Sequence, residues 1–230
     1  MKTLLNNFLI IASMTLISFS CDKDQDLVTT PADFTDDFES GNDGWIAAFA
    51  DYSTATDSFN FMSGVSALPS PLDTAKQGFM IGANNLSDDL FMFLKKQLTG
   101  LQPNTLYNLS LTLKIASDAP SNFVGIGGPP GEAVVVKIGA TTAEPVVMLD
   151  TNYYQLNIDK GGNSTSGADM DVIGNIATGL DTTQYEMITR QGTVSANSDS
   201  AGSLWLIVGT ESGFEGRTVL YYDEIEVDFQ

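Results

Sequence analysis

The sequence has 230 residues with 29 acidic and 10 basic side chains, and its formal net charge is −19 at pH 7. A charge of this sign repels phosphate backbones, so we exclude nucleic acid as a partner. A single cysteine excludes an internal disulfide, and the lack of histidine removes the usual general base and most zinc sites. The length suits one all-β domain or at most two small ones.

Residues 1–20 have the pattern of a secretory signal peptide. Lys2 gives a positive start, an apolar stretch runs from Phe8 to Phe19, and Cys21 follows. The apolar stretch is shorter than the roughly 20 residues that span a bilayer. The alternative is an ordinary signal peptide in which Cys21 has no role.

The stretch Ser18-Phe19-Ser20-Cys21 resembles the lipobox of bacterial lipoproteins, although Ser18 stands where Leu is commonest. The acidic stretch 22–26 resembles the signal that sends Bacteroidetes lipoproteins to the cell surface. This resemblance implies a lipid on Cys21, a lipidated N-terminus and tether over 21–32, and anchoring in the outer membrane facing outside the cell. Each buried methylene of an acyl chain contributes about 0.8 kcal/mol to such anchoring.

From Phe34 onward, short apolar runs alternate with loops rich in Gly, Pro, Asn, Asp and Ser. Many short strands separated by turn signals are typical of a sandwich or barrel, so we predict a single β-sandwich domain over 33–230. Leu90, Leu94 and Leu98 have helical spacing, which leaves a short helix as the alternative there. The predicted strands are 34–39, 44–50, 57–62, 78–83, 90–98, 105–116, 132–139, 145–149, 153–158, 171–177, 184–194, 203–210 and 217–229.

Two of these strands alternate clearly between apolar and polar residues. In the segment 105–116, one predicted face carries Tyr107, Leu109, Leu111, Leu113 and Ile115. In the last strand, the predicted apolar face carries Val219, Tyr221, Ile225, Val227 and Phe229. Asp223 falls on that same face, where it is the one residue out of pattern.

A buried, unpaired carboxylate at Asp223 would cost several kcal/mol or become protonated. A cation, a basic side chain or backbone N–H groups could offset this cost. Ca²⁺ suits the sequence because it takes oxygen ligands and needs neither His nor Cys. The alternative is that Asp223 lies at a strand edge, hydrogen-bonded to a loop.

Three segments resemble the jelly-roll carbohydrate-binding modules of families four and nine. They are Asp37-Phe38-Glu39-Ser40-Gly41 with Gly44-Trp45 after it, Leu101-Gln102-Pro103-Asn104-Thr105-Leu106-Tyr107, and Tyr221-Tyr222-Asp223-Glu224-Ile225-Glu226-Val227. The resemblance implies a galactose-binding-like sandwich and a structural Ca²⁺ held by Glu39, Asp223 and loop carbonyls. It also implies a non-catalytic module for poly- or oligosaccharides, most similar to uncharacterised exported proteins.

Two glycine-rich loops stand apart from the strands. The loop 125–131 lacks Gly-Lys-Ser/Thr, so we predict a structural turn rather than a phosphate site. In the loop 160–169 and just after it, Asp169 and Asp171 could face the same way. They are candidates for a second cation site or a ligand-binding loop, with a solvated loop as the alternative.

Sugar rings stack on aromatic side chains, so exposed rings are candidate platforms. We predict Tyr153, Tyr154 and Tyr222 as exposed candidates, and Trp45 and Trp205 as packing residues. The leading hypothesis is a cell-surface lipoprotein with a non-catalytic glycan-binding module and no catalytic residue. A structural or partner-binding protein is the alternative, and a glycoside hydrolase using paired carboxylates is a third.

Overall fold

The computed structural model describes residues 31–55, 58–86 and 89–230. In these ranges the chain forms β-strands and no helix, which confirms the predicted all-β class, and it has no helix suited to crossing a membrane. The strands are β1 (Phe34–Asp36), β2 (Ile46–Ala50), β3 (Tyr52–Ser53), β4 (Met62–Ala67), β5 (Gln77–Asn84), β6 (Phe91–Leu98), β7 (Leu106–Ser117), β8 (Val134–Thr141), β9 (Val147–Asp150), β10 (Tyr153–Leu156), β11 (Met170–Asn175), β12 (Glu186–Asn197), β13 (Leu204–Ser212) and β14 (Arg217–Phe229).

Two antiparallel sheets form a jelly-roll sandwich. The first sheet has the strand order β12-β7-β14-β5-β4, with β1 paired to β14. The second sheet has the order β11-β8-β13-β6-β2, and a small third sheet has the order β3-β10-β9. The main core contains residues of both large sheets, including Leu111, Leu113, Leu206 and Leu220.

Strand β7 confirms the alternation read from the sequence. Leu109, Leu111, Leu113 and Ile115 are fully buried, while Tyr107 is half-buried and packs against the core. The leucine-rich segment forms β6, so the helical alternative is wrong there. Its strand pairs with β13 on one side and with β2 on the other.

The predicted strand over 57–62 is wrong, because β4 begins at Met62. Asn60 has a φ of 50°, in the left-handed region that interrupts an extended chain. Phe59 and Phe61 on either side of it stack on each other, with ring centroids 5.4 Å apart. Most residues of β4 are small, and along the strand they alternate between half-buried and exposed, so the hydrophobic signal of β4 is weak.

A β-bulge in β14 explains Asp223. Pairing with β7 shifts register between Tyr222 and Glu224, so Asp223 is the extra residue. A bulge of this kind reverses which face the following residues occupy. Leu220 and Tyr222 before the bulge, and Ile225 and Val227 after it, are therefore all buried in the core. The predicted single face from Val219 to Phe229 is wrong before the bulge.

The two large sheets differ in how their outer faces are covered. A second apolar cluster, formed by Ala50, Phe91, Phe93, Met170 and Ile207, lies outside the main core. Part of the second sheet is therefore buried on both faces, as the uninterrupted burial of β8 shows. Strand β7 of the first sheet instead alternates between buried and half-buried residues. Its outer face is available to a ligand.

Candidate functional site

A cleft lies on the outer face of the first sheet, around the beginning of β14. One part has a volume of about 380 Å³ and contains two tyrosines and one basic side chain; its lining is Met62, Met80, Asp118, Tyr185, Arg217, Val219 and Tyr221. An adjoining part of about 230 Å³ shares Asp118 and Arg217 and adds Phe123, Pro130 and Phe214 among its walls. We refer to the two parts together as the β14 cleft.

Tyr185 and Tyr221 form the aromatic wall of the β14 cleft. Their ring centroids are 5.6 Å apart and their planes meet at 85°, an edge-to-face contact. The Tyr185 hydroxyl donates a hydrogen bond to the Val219 carbonyl at 3.4 Å. Burial raises the pKa of Tyr185, so its hydroxyl stays neutral and can both donate and accept.

Asp118 and Arg217 give the cleft its polar groups. Burial raises the pKa of Asp118, and a hydrogen bond with its own backbone partly opposes this effect by lowering the pKa. Arg217 is exposed, and its Nη2 lies 3.7 Å from the Met62 sulfur. Within the described ranges, no carboxylate forms an ion pair with Arg217. A guanidinium and a carboxyl group beside aromatic rings offer donors and acceptors to a polyhydroxylated ligand.

The sequence reasoning missed Tyr221 and misplaced Tyr222, and both errors come from the bulge at Asp223. Tyr222 is fully buried, so the prediction that its ring is exposed is wrong. Burial also raises the pKa of its phenol, whose oxygen is buried without a hydrogen-bond partner among the described residues. Tyr221, assigned from the pattern to the core face, lines the cleft instead.

Tyr153 and Tyr154 lie in β10 of the small sheet, away from the β14 cleft, and both are half-buried. Tyr154 stacks on Tyr52, with ring centroids 4.7 Å apart. Tyr52 in turn contacts Phe61, whose side chain is 38% exposed. Tyr154 therefore belongs to a separate aromatic cluster, and neither Tyr153 nor Tyr154 lines the cleft.

The loop 160–169 does enclose a cation, but that cation is a lysine side chain. The Lys137 ammonium donates to the carbonyls of Lys160, Gly162 and Thr165 at 2.9, 2.6 and 3.1 Å. It also lies 2.5 Å from Glu211 Oε2, with the two side chains 0% and 2% exposed. These carbonyls are thus already occupied by a charge of the chain itself.

Asp169 and Asp171 do not act together in that loop. Asp169 accepts a hydrogen bond from the Asp159 backbone N–H at 2.7 Å, which fixes the base of the loop. Asp171 is exposed in β11. Asp159 accepts from the backbone N–H groups of Gly161 and Ala168, and these hydrogen bonds lower its pKa. The carboxyl groups organise the backbone of the loop, as expected for a structural turn.

Glu39 and Asp223 are near enough to interact electrostatically. Burial raises the pKa of Asp223, Lys76 lowers it, and Glu224 and Glu39 raise it further. Glu39 accepts a hydrogen bond from the Gln77 backbone N–H at 3.1 Å. In the described part of the chain, no group of three or more His, Cys, Asp or Glu residues is arranged for a metal ion. Two neighbouring carboxylates fit a cation that takes its other ligands from carbonyls or water.

The two tryptophans lie in different environments. Trp45 is fully buried and donates from Nε1 to Asp36 Oδ2 at 2.8 Å, as a packing residue would. Asp36 also pairs with Lys96, at 2.5 Å. Trp205 is half-buried, and the Lys95 ammonium lies 5.3 Å from its ring centroid, so it is not a core residue.

No protein-family model and no curated protein matches the chain. Solved structures resemble the chain at low identity. A structure of carbohydrate-binding modules from the β-sandwich superfamily is 14% identical with a TM-score of 0.37, over 81% of this chain. The chain spans 57% of the length of that structure.

The CBM22-1 xylan-binding domain of Xyn10C from Paenibacillus barcinonensis is 14% identical, with a TM-score of 0.40, over 87% of this chain and 97% of that one. The K1 cleaved adhesin domain of Lys-gingipain from Porphyromonas gingivalis is 11% identical, with a TM-score of 0.36, over 86% of this chain and 98% of that one. Likeness at this level carries no information about the ligand of this chain.

Proposed function

We propose that this chain is a non-catalytic binding module and that its β14 cleft binds a glycan. The observation that carries the proposal is the edge-to-face pair of Tyr185 and Tyr221 beside Asp118 and Arg217. An aromatic wall takes the apolar face of a sugar, while carboxyl and guanidinium groups take its hydroxyls.

The carboxyl groups of the cleft support binding over hydrolysis. Hydrolysis of a glycosidic bond ordinarily uses two carboxyl groups on either side of the bond. Among the described residues that line the two parts of the cleft, Asp118 is the one acidic residue, so these linings do not provide a pair of carboxyl groups. It is positioned to accept hydrogen bonds from hydroxyl groups, with Arg217 as the neighbouring donor.

Affinity electrophoresis and a glycan array covering plant, host and microbial polysaccharides test the proposal. Wild-type protein should be retarded by at least one glycan, and Tyr185→Ala and Tyr221→Ala should lose that retardation. Tyr154→Ala, in the separate aromatic cluster, is the matched control and should bind as wild type does. Absence of any retained glycan for the wild type, or loss of binding only in Tyr154→Ala, would refute the assignment to the cleft.

A second candidate function, binding of a protein partner, rests on the loop before β8. Phe123, which lines the cleft, is 43% exposed, and Val124 and Ile126 in the same loop are 97% and 72% exposed. Exposed apolar side chains that adjoin one another are typical of interaction sites. Val124→Ser with Ile126→Ser should abolish such an interaction in a pull-down from the native host while glycan binding persists.

We also propose that the module is displayed by a lipid on Cys21 at the outer face of the outer membrane. Cys21 lies outside the described residues, and the proposal rests on the lipobox-like stretch 18–21 and the acidic stretch after it. Metabolic labelling with a fatty acid should label the wild type and not Cys21→Ser. Unlabelled wild-type protein, or label that persists in the variant, would refute it.

A further inference from the structure

Three charged side chains meet where the loop 160–169 covers the second sheet. Lys160 Nζ lies 2.8 Å from Asp51 Oδ2 and 2.5 Å from Glu211 Oε1. The exposed fractions of the three side chains are 11% for Lys160, 13% for Asp51 and 2% for Glu211. The primary amine of Lys160 thus contacts two carboxyl groups, one on Asp51 and one on Glu211.

The site is surrounded by apolar groups and held on each side. The Lys160 ammonium lies 5.5 Å from the centroid of Phe91, which belongs to the second apolar cluster. Asp51 has a φ of 61°, and its backbone N–H donates to the Tyr154 carbonyl at 2.6 Å. The other carboxylate oxygen of Glu211, Oε2, accepts a hydrogen bond from the Lys137 ammonium, which fixes the side chain. The reacting groups therefore have little freedom to separate.

We propose that Lys160 and Asp51 condense to an intramolecular amide bond, with Glu211 carrying the proton between them. The distance from Nζ to Oδ2 is 2.8 Å, and Cγ is one C–O bond further on. The amine and the carbonyl carbon are therefore separated by at most about 4 Å, close to the roughly 3–3.5 Å of a near-attack geometry.

The reaction begins with an ammonium and a carboxylate. Glu211 passes one proton from Lys160 Nζ to the Asp51 carboxyl group, and the neutral amine attacks Asp51 Cγ. A C–N bond forms, one C–O bond of Asp51 breaks, and the oxygen leaves with two protons as water. Glu211 ends as a carboxylate, still paired with Lys137.

The local environment favours condensation of Lys160 with Asp51 over hydrolysis of the amide. Burial raises the pKa of Asp51, which promotes the protonated, electrophilic form. Burial lowers the pKa of Lys160, but hydrogen bonds with Asp51 and Glu211 more than offset this, so the lysine enters as an ammonium. Partly buried ion pairs lose hydration, and a neutral amide removes two of the four charges in the cluster.

Lys137 lies in the same cluster, but among the described residues the ammonium that pairs with Asp51 is that of Lys160. The Lys137 ammonium is held by Glu211 and by three loop carbonyls, and an amide carbonyl has no hydroxyl group to lose as water. The cross-link would therefore join the β2–β3 corner to the loop 160–169. It would brace the fold as a disulfide does elsewhere.

Peptide mapping of the purified full-length chain tests the proposal. After denaturation, trypsin should cut behind Lys137 and fail to cut behind Lys160. The peptide that contains Asp51 and ends at Lys76 should then appear joined to the peptide 138–190, lighter than their sum by one water. Lys137 is the internal control, because it is buried in the same cluster but keeps a free amine.

Three variants separate the chemistry from general effects on folding. Lys160→Met and Asp51→Ala should each show the full mass without loss of water, and Glu211→Gln should leave most of the chain unlinked. Lys114→Met, at an ion pair of the first sheet, should remain cross-linked. Complete cleavage behind Lys160 in the denatured wild type, or a water loss that maps to other residues, would overturn the proposal.

Discussion

Lys137 and Glu211 form an ion pair in the interior, with Nζ 2.5 Å from Oε2 and both side chains at most 2% exposed. Burial lowers the pKa of Lys137, and its hydrogen bond to Glu211 opposes that effect. The loop carbonyls around the ammonium supply the hydrogen bonds that a buried charge needs. The pair fastens a glycine-rich loop to the middle of the second sheet.

Removing one partner of the Lys137–Glu211 pair should lower the free energy of unfolding substantially. Lys137→Met leaves Glu211 with fewer partners and the loop carbonyls without their donor, so we expect a loss of about 3–5 kcal/mol in the free energy of unfolding. Urea denaturation followed by tryptophan fluorescence measures it. Lys114→Met is the control, since its pair with Glu224 has a lysine side chain that is 42% exposed and a loss of about 0–1 kcal/mol is expected. Equal losses in both variants would contradict the buried role.

Calcium should stabilise the wild type through Glu39 and Asp223. At a free Ca²⁺ concentration a hundredfold above Kd, the expected gain is about 2.7 kcal/mol, and EDTA should reverse it. Glu39→Gln and Asp223→Asn should each reduce the dependence of Tm on Ca²⁺, whereas Asp171→Asn on the exposed face of β11 should retain it. An unchanged Tm of the wild type with and without EDTA would refute a structural calcium ion.

Glycan binding should weaken on acidification because of Asp118. The pKa of this carboxyl is raised by burial, so it loses its charge at a higher pH than an ordinary aspartate. A raised pKa in the folded state means that the protonated form favours folding, so the same acidification does not unfold the protein through Asp118. Titration of affinity against pH checks this, and Asp118→Asn should flatten the profile. A wild-type profile identical to that of Asp118→Asn would show that the carboxyl group makes no contact with the ligand.

Two glycines allow backbone strain to be separated from steric overlap. Gly100 and Gly202 have φ values of 78° and 74°, so alanine is strained at both. A Cβ at Gly100 would meet nothing within 4 Å, but at Gly202 it would collide with the Leu101 carbonyl. We expect a loss of about 1–2 kcal/mol for Gly100→Ala and a clearly larger loss for Gly202→Ala, measured by urea denaturation. Equal losses would mean that the loop moves aside without cost.

The fold class was predictable because many short apolar runs are separated by turn residues, and some of those runs alternate between apolar and polar side chains. Strand β7 illustrates this, because Leu109, Leu111, Leu113 and Ile115 are buried as the pattern indicates. Strand β14 illustrates the limit, because one extra residue reverses the faces of the strand. Asp223 stood out from the pattern, but a carboxylate there also fits a metal ligand, so the sequence did not distinguish a bulge from a metal site.

The candidate site was less predictable because its side chains are brought together by contacts between distant parts of the chain. Tyr185 and Tyr221 come from different strands, and their contact depends on the register of the first sheet. Lys137 lies in an apolar run, and nothing local shows that its ammonium reaches a loop that follows later in the chain. The sequence could suggest a cation in the loop 160–169 but not that the chain provides it.

Strand β14 also sets the distance between the cleft and the beginning of the described chain. Strand β1 pairs with residues Ile225–Val227, and Asp33 accepts a hydrogen bond from the Phe229 backbone N–H, whereas the cleft lies around Arg217–Tyr221. Val219 and Val227 are eight positions apart in the sequence, which at about 3.3 Å per residue is roughly 26 Å. Under the proposed anchoring at Cys21, the chain would therefore enter the sandwich at the end of β14 that lies away from the cleft. The cleft would then lie on the side of the sandwich opposite its attachment point.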